Sequence, residues 1–335
     1  MKKQKNNLRH LHWALPCILL FAGCEFRDSG NVENMEPVEL QIAPVVATTR
    51  SAIQEATAMG TVAVYATGTD YADGNNYAVY TYGNNSWGNS AADKIYLTNA
   101  AATIYGYYPT TAKYDSNLEI DVTLLEGTAS TTITTVDNAT GTAIASADGE
   151  VDCMWATAVS NVSNASNNNV TLAMNHALSM VSFRVYKDAS YQGAGKLTKI
   201  IVENAPTKSM LSKGTSPKMK ITDGTLIPGT AQNATYTRTI QSGYSLVATK
   251  DASKKFSILV LPIDTSIGAD NIKATFTVDG ADYSVNLTAP SDNSGKWPAG
   301  KNHLYTVKLG GTDLSITQVT VTPWTEVAGG DLEIK

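Results

Sequence analysis

Short strand-like runs separated by turn residues dominate this sequence and leave little room for helices. Gly83-Asn84-Asn85 is typical of the turns between these runs, because glycine and asparagine tolerate a positive φ. No long stretch repeats its apolar residues with helical spacing, and residues 51–59 are the best candidate for a short helix. The pattern predicts an all-β protein made of β-sandwiches. Runs rich in β-branched and aromatic residues recur at 61–66, 77–82, 94–97, 103–108, 170–174, 180–186, 197–202, 256–261, 272–278, 283–287, 303–309 and 316–321.

The length of 335 residues suits two domains of ordinary size, each with its own core. A run of serine and asparagine at 160–169 separates two sets of apolar segments, so we interpret it as a surface loop or a domain boundary. The predicted architecture is therefore two tandem β-sandwiches, at residues 51–169 and 170–335.

The N-terminus has the pattern of an export signal. A positively charged beginning is followed by an apolar run at 13–22, about half the ~20 residues that a membrane-spanning helix needs. The run ends in Leu-Phe-Ala-Gly before Cys24, which is similar to a lipoprotein processing site. We predict a lipoprotein signal peptide at 1–23 and an acyl anchor, such as palmitate, on Cys24. The alternative is an ordinary signal that is cleaved near Gly23.

Charge and cysteine content exclude several classes of function. Without residues 1–23 the chain keeps 21 basic and 30 acidic side chains, a net charge of -9, which disfavours nucleic acid as a partner. Cys153 is then the one cysteine beyond the anchor, so a Cys-based zinc site is excluded. His176 and His303 alone remain as histidines. We predict no metal site and no cofactor.

The segment after the signal predicts a tether and then an edge strand. Residues 25–37 are polar and acidic, without apolar periodicity. Residues 38–42 alternate strictly between apolar and polar side chains, as a half-buried strand does. Pro44 cannot donate a backbone hydrogen bond, which places this strand at the edge of a sheet. The apolar contacts that we predict for this first strand are Val38, Leu40, Ile42 and Val46.

Three features invite a catalytic or ligand-binding interpretation, and a structural one is favoured for each. His176 has no acidic or hydroxyl neighbour in sequence and is expected to be a hydrogen-bonded structural histidine. The acids at 148–152 could bind calcium or hydrolyse glycosides, but a solvated turn explains them more simply. The many tyrosines at 65–114 could stack on sugars, although sandwich cores also use tyrosine heavily. We predict that the protein is not an enzyme.

Five local patterns occur in the same order as in a known family. They are YGYYP at 105–109, DCMWA at 152–156, NHALSMVSF at 175–183, WPAGK at 297–301 and VTPW at 321–324. Together they make the chain similar to the Bacteroidales fimbrillins, the type V pilins that include major fimbrium subunits. The resemblance implies two transthyretin-like sandwiches and a cell-surface protein that begins as an outer-membrane lipoprotein.

The resemblance also implies a route of assembly. In this family an arginine-specific surface protease removes the first strand, and a strand of the next subunit fills the open groove. Arg50 matches the cleavage position here, which makes Ser51 the mature N-terminus and 24–50 a propeptide. The alternative is that residues 38–46 are a permanent first strand and that Arg50 is an ordinary loop residue.

Residues 314–335, at the end of the second predicted domain, are the predicted donor strand, since this segment is strand-like and ends the chain. The alternative is that it stays as the last strand of its own sandwich. The resulting prediction is a structural subunit that polymerises with copies of itself or related fimbrillins into adhesive fimbriae. A monomeric, glycan-binding surface lipoprotein is the alternative function. The apolar contacts of the predicted donor are Ile316, Val319, Val321, Leu332 and Ile334.

Overall fold

The computed structural model describes residues 36–46, 56–71, 75–124, 151–166, 168–287, 295–311 and 313–323. These residues form strands and two short 3-10 helices (η1 and η2) but no α-helix, which confirms the predicted all-β class. Up to residue 176 the elements are β1 (Val38–Glu39), β2 (Gln41–Val46), η1 (Ala56–Met59), β3 (Thr61–Thr67), η2 (Thr69–Tyr71), β4 (Tyr77–Gly83), β5 (Ser86–Gly88), β6 (Tyr96–Leu97), β7 (Ala102–Tyr108), β8 (Glu119–Asp121), β9 (Met154–Ala156), β10 (Val159–Val162) and β11 (Asn169–His176). The remaining elements are β12 (Ser179–Lys187), β13 (Lys196–Asn204), β14 (Lys218–Lys220), β15 (Leu226–Ile227), β16 (Thr235–Ser245), β17 (Lys255–Val260), β18 (Ile272–Val278), β19 (Ala281–Asn286), β20 (Lys301–Leu309) and β21 (Leu314–Pro323).

An eight-stranded sheet organises the first half of the described chain. Its order is β2-β11-β9-β7-β3-β4-β5, with β10 paired to β7. Successive side chains of β3 point to opposite faces of this sheet, and both faces are covered by apolar clusters. Val62 and Val64 lie in one cluster, whereas Ala63 lies in the other. The hairpin between β4 and β5 turns at Asn84 and Asn85, which both have positive φ, as the sequence predicted.

Two four-stranded sheets form a sandwich in the second half. Their orders are β17-β12-β20-β21 and β16-β13-β18-β19. Phe183 on β12 packs edge-on against Phe276 on β18, with ring centroids 5.4 Å apart, and stacks on Tyr305 of β20 at 5.9 Å. All three rings are buried, so the aromatic layer between the sheets is the centre of this core.

A small three-stranded sheet connects the two halves. Strand β8 pairs with β14, and β14 pairs with β15, so that a segment of the first half contributes to a sheet of the second. Tyr107 and Ile120 belong to the same buried cluster as Met219 and Phe183. Among the described residues the apolar core is therefore continuous from the eight-stranded sheet into the sandwich.

Most strands lie where their composition indicated, and the differences have clear causes. The serine- and asparagine-rich run holds strand β10 and the start of β11 as well as a turn, because its few apolar side chains, such as Val162, are buried. Strand β11 pairs with β2 and β9, and the chain first enters the second sandwich at β12. The domain boundary at residue 170 stays a prediction. It lies at the start of β11, one strand before the chain enters the sandwich at β12.

Candidate assembly groove

The predicted first strand lies at the edge of the eight-stranded sheet. Strand β2 is the last strand in the sheet order and pairs only with β11 among the described strands, in parallel from Gln41 opposite Asn169 to Val46 opposite Met174. Strand β1 continues the same segment and pairs antiparallel with β6. This place in the sheet order confirms the edge position that Pro44 indicated. Proline has no backbone N–H to donate to a neighbouring strand.

One face of this segment is inserted in the core. Leu40 is fully buried and Ile42 is 5% exposed, and Pro44 is buried as well. Val38 and Val46 are half-buried, whereas Gln41 between the buried positions is exposed. Burial of a leucine or isoleucine side chain contributes about 1.5–3 kcal/mol, so these side chains account for much of the affinity of the strand for its groove.

Polar groups of the groove wall bind the backbone of the strand. The Tyr80 hydroxyl donates to the Leu40 carbonyl at 2.7 Å, and the Asn168 side-chain amide donates to the Glu39 carbonyl at 2.9 Å. The Asn164 amide donates to the Glu36 carbonyl at 3.3 Å. Burial, with a smaller effect of the Glu39 charge, raises the pKa of Tyr80, so its hydroxyl stays protonated and remains a donor. These donors recognise carbonyl groups and therefore accept a strand of any sequence.

A single ion pair adds a sequence-dependent contact at the rim of the groove. Lys94 Nζ lies 2.6 Å from Glu39 Oε2, and the two side chains are 29% and 32% exposed. The hydrogen bond to Glu39 raises the pKa of Lys94, which keeps the ammonium charged. Unlike the amide and hydroxyl donors, Lys94 contacts a side chain of the strand, so this contact depends on the acidic residue at position 39.

The predicted processing sites fall outside the described residues. This applies to Cys24, Arg50 and Ser51, so lipidation and cleavage stay predictions. Strand β2 ends at Val46 and the next described residue is Ala56, which leaves Arg50 in the intervening segment.

The predicted donor strand is described only in part. Strand β21 pairs antiparallel with β20 at the edge of its own sheet, with Val321 opposite His303. Ile316 and Val319 are half-buried and pack against the sandwich core. Leu332 and Ile334 lie outside the described residues. The donor assignment stays a prediction for all five side chains.

His176 has an acidic partner that its sequence neighbours did not reveal. Its Nδ1 atom lies 2.9 Å from Asp152 Oδ2, and both side chains are buried. Asp152 is thus a buried hydrogen-bonding group rather than part of a solvated turn, because β9 and β11 are paired and bring the two residues together. The pair is of the structural type expected for His176.

The tyrosines of the first half pack mainly against one another. Tyr114 contacts three other rings, with centroids 4.8 Å from Tyr65, 5.8 Å from Tyr77 and 6.4 Å from Tyr107. Tyr107 is fully buried, and the other three rings pack against the core that contains it. These tyrosines therefore pack at the edge of the core, as the sequence analysis favoured over stacking on sugars.

The described ranges contain neither a cluster of metal ligands nor a membrane-spanning helix. There, no group of three or more His, Cys, Asp or Glu side chains could hold a metal ion. Over the same residues, no helix is long and apolar enough to cross a membrane.

Sequence reasoning identified the strand but missed the residues that bind it. Tyr80, Lys94 and Asn168 lie 30 or more positions from the strand and carry no recognisable motif. The serine- and asparagine-rich run suggested only a surface loop or a domain boundary, although two of its side-chain amides donate to the strand backbone. A run of amides at a sheet edge is the one signal that could have suggested this role.

Comparisons with known proteins give the family and the fold. A family model described as fimbrillin-like matches residues 47–324, so that the first strand and the C-terminal tail lie outside the match. No match is found among curated proteins.

Two solved structures share the fold at low sequence identity. A candidate cell adhesion protein from Bacteroides uniformis has a TM-score of 0.62 at 17% identity, over 86% of this chain and 99% of that one. A candidate cell adhesion protein from Bacteroides ovatus has a TM-score of 0.56 at 13% identity, over 87% and 99% of the two chains.

Proposed function

Because the chain belongs to the fimbrillin-like family, we propose that it is a pilin subunit that polymerises by strand exchange. The family match supports a fimbrial or adhesive role at the cell surface. The proposed subunit is structural rather than catalytic, and its partners are copies of itself or related fimbrillins.

The observation that carries this proposal is the insertion of an edge strand into an apolar groove. Removal of β1 and β2 leaves the backbone of β11 without its edge partner and uncovers the positions that Leu40 and Ile42 fill. Such an edge is a template for another strand, and addition of a strand from a second chain is an established mode of recognition for pilins. The groove wall also keeps its backbone-binding donors, Tyr80 and Asn168.

The proposed trigger is cleavage between Arg50 and Ser51 by an arginine-specific surface protease. We expect Arg50→Ala to leave the first strand in its groove and to stop assembly at the monomer, because the acceptor site stays occupied. The measurement is N-terminal sequencing of the surface protein together with gel electrophoresis in cold detergent. The wild-type protein should begin at Ser51 and give a ladder of oligomers.

Arg27→Ala is the matched control, since Arg27 precedes the strand and cleavage there would not empty the groove. This variant should assemble like the wild type. Assembled Arg50→Ala subunits that still carry residues 24–50 would contradict the trigger.

The proposed anchor of the precursor is an acyl chain on Cys24, which attaches it to the outer membrane before cleavage. We expect Cys24→Ala to take up no radiolabelled palmitate and to accumulate with its signal peptide, because the thiol that accepts the lipid is absent. Cys153→Ala is the control and should label normally, since Cys153 is buried in the fold. Equal labelling of the Cys24→Ala protein and the wild type would refute lipidation at this site.

Electron microscopy separates this function from the alternative of a monomeric glycan-binding lipoprotein. A pilin gives filaments once the first strand is removed, whereas the alternative gives isolated particles under the same conditions.

A further inference from the structure

The C-terminal tail repeats the pattern of the strand that fills the groove. Residues 39–42 read Glu-Leu-Gln-Ile, and residues 331–334 read Asp-Leu-Glu-Ile. The leucine and the isoleucine are identical, the first residue is acidic in both, and the third is polar in both. The tail therefore offers the same order of side chains, in the same chain direction, as the first strand.

The shared positions are those on which the groove depends. Leu40 and Ile42 are the strand residues inserted into the apolar cluster, at 0% and 5% exposure. Glu39 forms the ion pair with Lys94, and Gln41 is exposed. Each of the four tail residues has the chemical character that its counterpart uses in the groove.

We infer that the tail of a second copy binds the emptied groove in this register, with Asp331 paired to Lys94. Leu332 and Ile334 then take the positions of Leu40 and Ile42, and Glu333 points to solvent where Gln41 does. This inference rests on the proposed function, because it requires that the first strand be removed. It adds the register and the residue that selects the incoming strand.

Other registers fit the groove less well. A shift by one residue turns every side chain to the opposite face, so Asp331 and Glu333 would enter the apolar cluster unpaired, which is strongly unfavourable. A shift by two residues toward β11's C-terminal end places Gly330 at the position of Leu40 and leaves that site unfilled. The inferred register fills the Leu40 and Ile42 positions together and also gives Lys94 an acidic partner.

The neutral donors of the wall do not distinguish these registers, because they bind backbone carbonyls. The choice of register therefore depends on the apolar sites and on one charge. Of these, the charge can be reversed without creating a cavity, which makes Lys94 the residue to test.

The test is an exchange of charges between tail and groove. One variant carries Asp331→Lys, and a second carries Lys94→Glu together with Glu39→Lys, so that the precursor keeps an ion pair until residue 39 is cleaved away. We expect each variant alone to form detergent-resistant ladders about tenfold more slowly than the wild type, because an attractive contact becomes a repulsive one. Combining all three substitutions in one chain should restore the wild-type rate.

Glu333→Lys is the matched control, since residue 333 faces solvent in the inferred register and should leave the rate unchanged. Rescue of Glu333→Lys, rather than Asp331→Lys, by the reversed groove would overturn the register. Unchanged rates in every charge variant would overturn the ion pair. Neither result affects the proposed function, which fails only if the cleaved wild type forms no ladder.

Discussion

We expect removal of residues 325–335 to abolish ladder formation by a protein that is still cleaved after Arg50. The deletion takes away Leu332 and Ile334, whose burial is worth about 1.5–3 kcal/mol each before the cost of ordering the tail. It spares β21, whose Ile316 and Val319 pack against the sandwich, so the truncated subunit should stay folded. Gel electrophoresis in cold detergent and circular dichroism measure the two effects.

A full-length variant with Leu332→Ser and Ile334→Ser separates loss of the apolar contacts from loss of chain length. It should fail to assemble as the deletion does, because its side chains no longer fill the two buried sites. Mixing the truncated protein with cleaved wild type should shorten the ladders, because a truncated subunit accepts a tail in its groove but has no tail to donate to the next subunit. Ladders of normal length from the truncated protein alone would mean that the donor strand lies elsewhere, for instance in β21.

The largest effect on stability is expected for Phe183→Ala. This ring is fully buried between the two sheets of the second sandwich and contacts both Phe276 and Tyr305. Truncation of a buried phenylalanine to alanine leaves a cavity and costs about 3–5 kcal/mol. The free energy of unfolding from urea titration should fall by that amount, and much of the protein should unfold during expression.

Tyr96→Ala is the control for this measurement, since Tyr96 is 47% exposed on β6. Its free energy of unfolding should change by no more than about 0.5 kcal/mol, as is usual for exposed positions. A loss below 1 kcal/mol for Phe183→Ala would contradict the aromatic layer as the centre of the sandwich.

The all-β class was predictable because the information for it is local. Alternation in runs such as Ile272–Val278 follows from the pleat of a strand, which exposes successive side chains to opposite faces. Asn84 and Asn85 indicated a tight turn because few other residues accept a positive φ. Pro44 indicated an edge strand because it has no amide hydrogen. Each of these inferences needs only neighbouring residues.

Strand β16 was missed, although it is the longest strand described. It alternates threonine with Tyr236, Arg238 and Ile240, and an arginine is rarely taken for a core residue. Arg238 is nevertheless 4% exposed, and its guanidinium donates to the Ser257 carbonyl at 2.7 Å. Burial of the charge is acceptable because β17, a strand of the other sheet, supplies this acceptor 19 residues away in the chain.

The sequence by itself determined most of the strands, the edge position of the first one and the repeated Leu-x-Ile pattern in the tail. Tertiary structure decided which groups meet: Glu39 with Lys94, and His176 with Asp152. It also decided that β2 runs parallel to β11, between residues more than 120 positions apart in the chain. The physical reason is that strand formation depends on the local order of side chains, whereas pairing depends on burial and hydrogen bonds between distant segments, which no local pattern records.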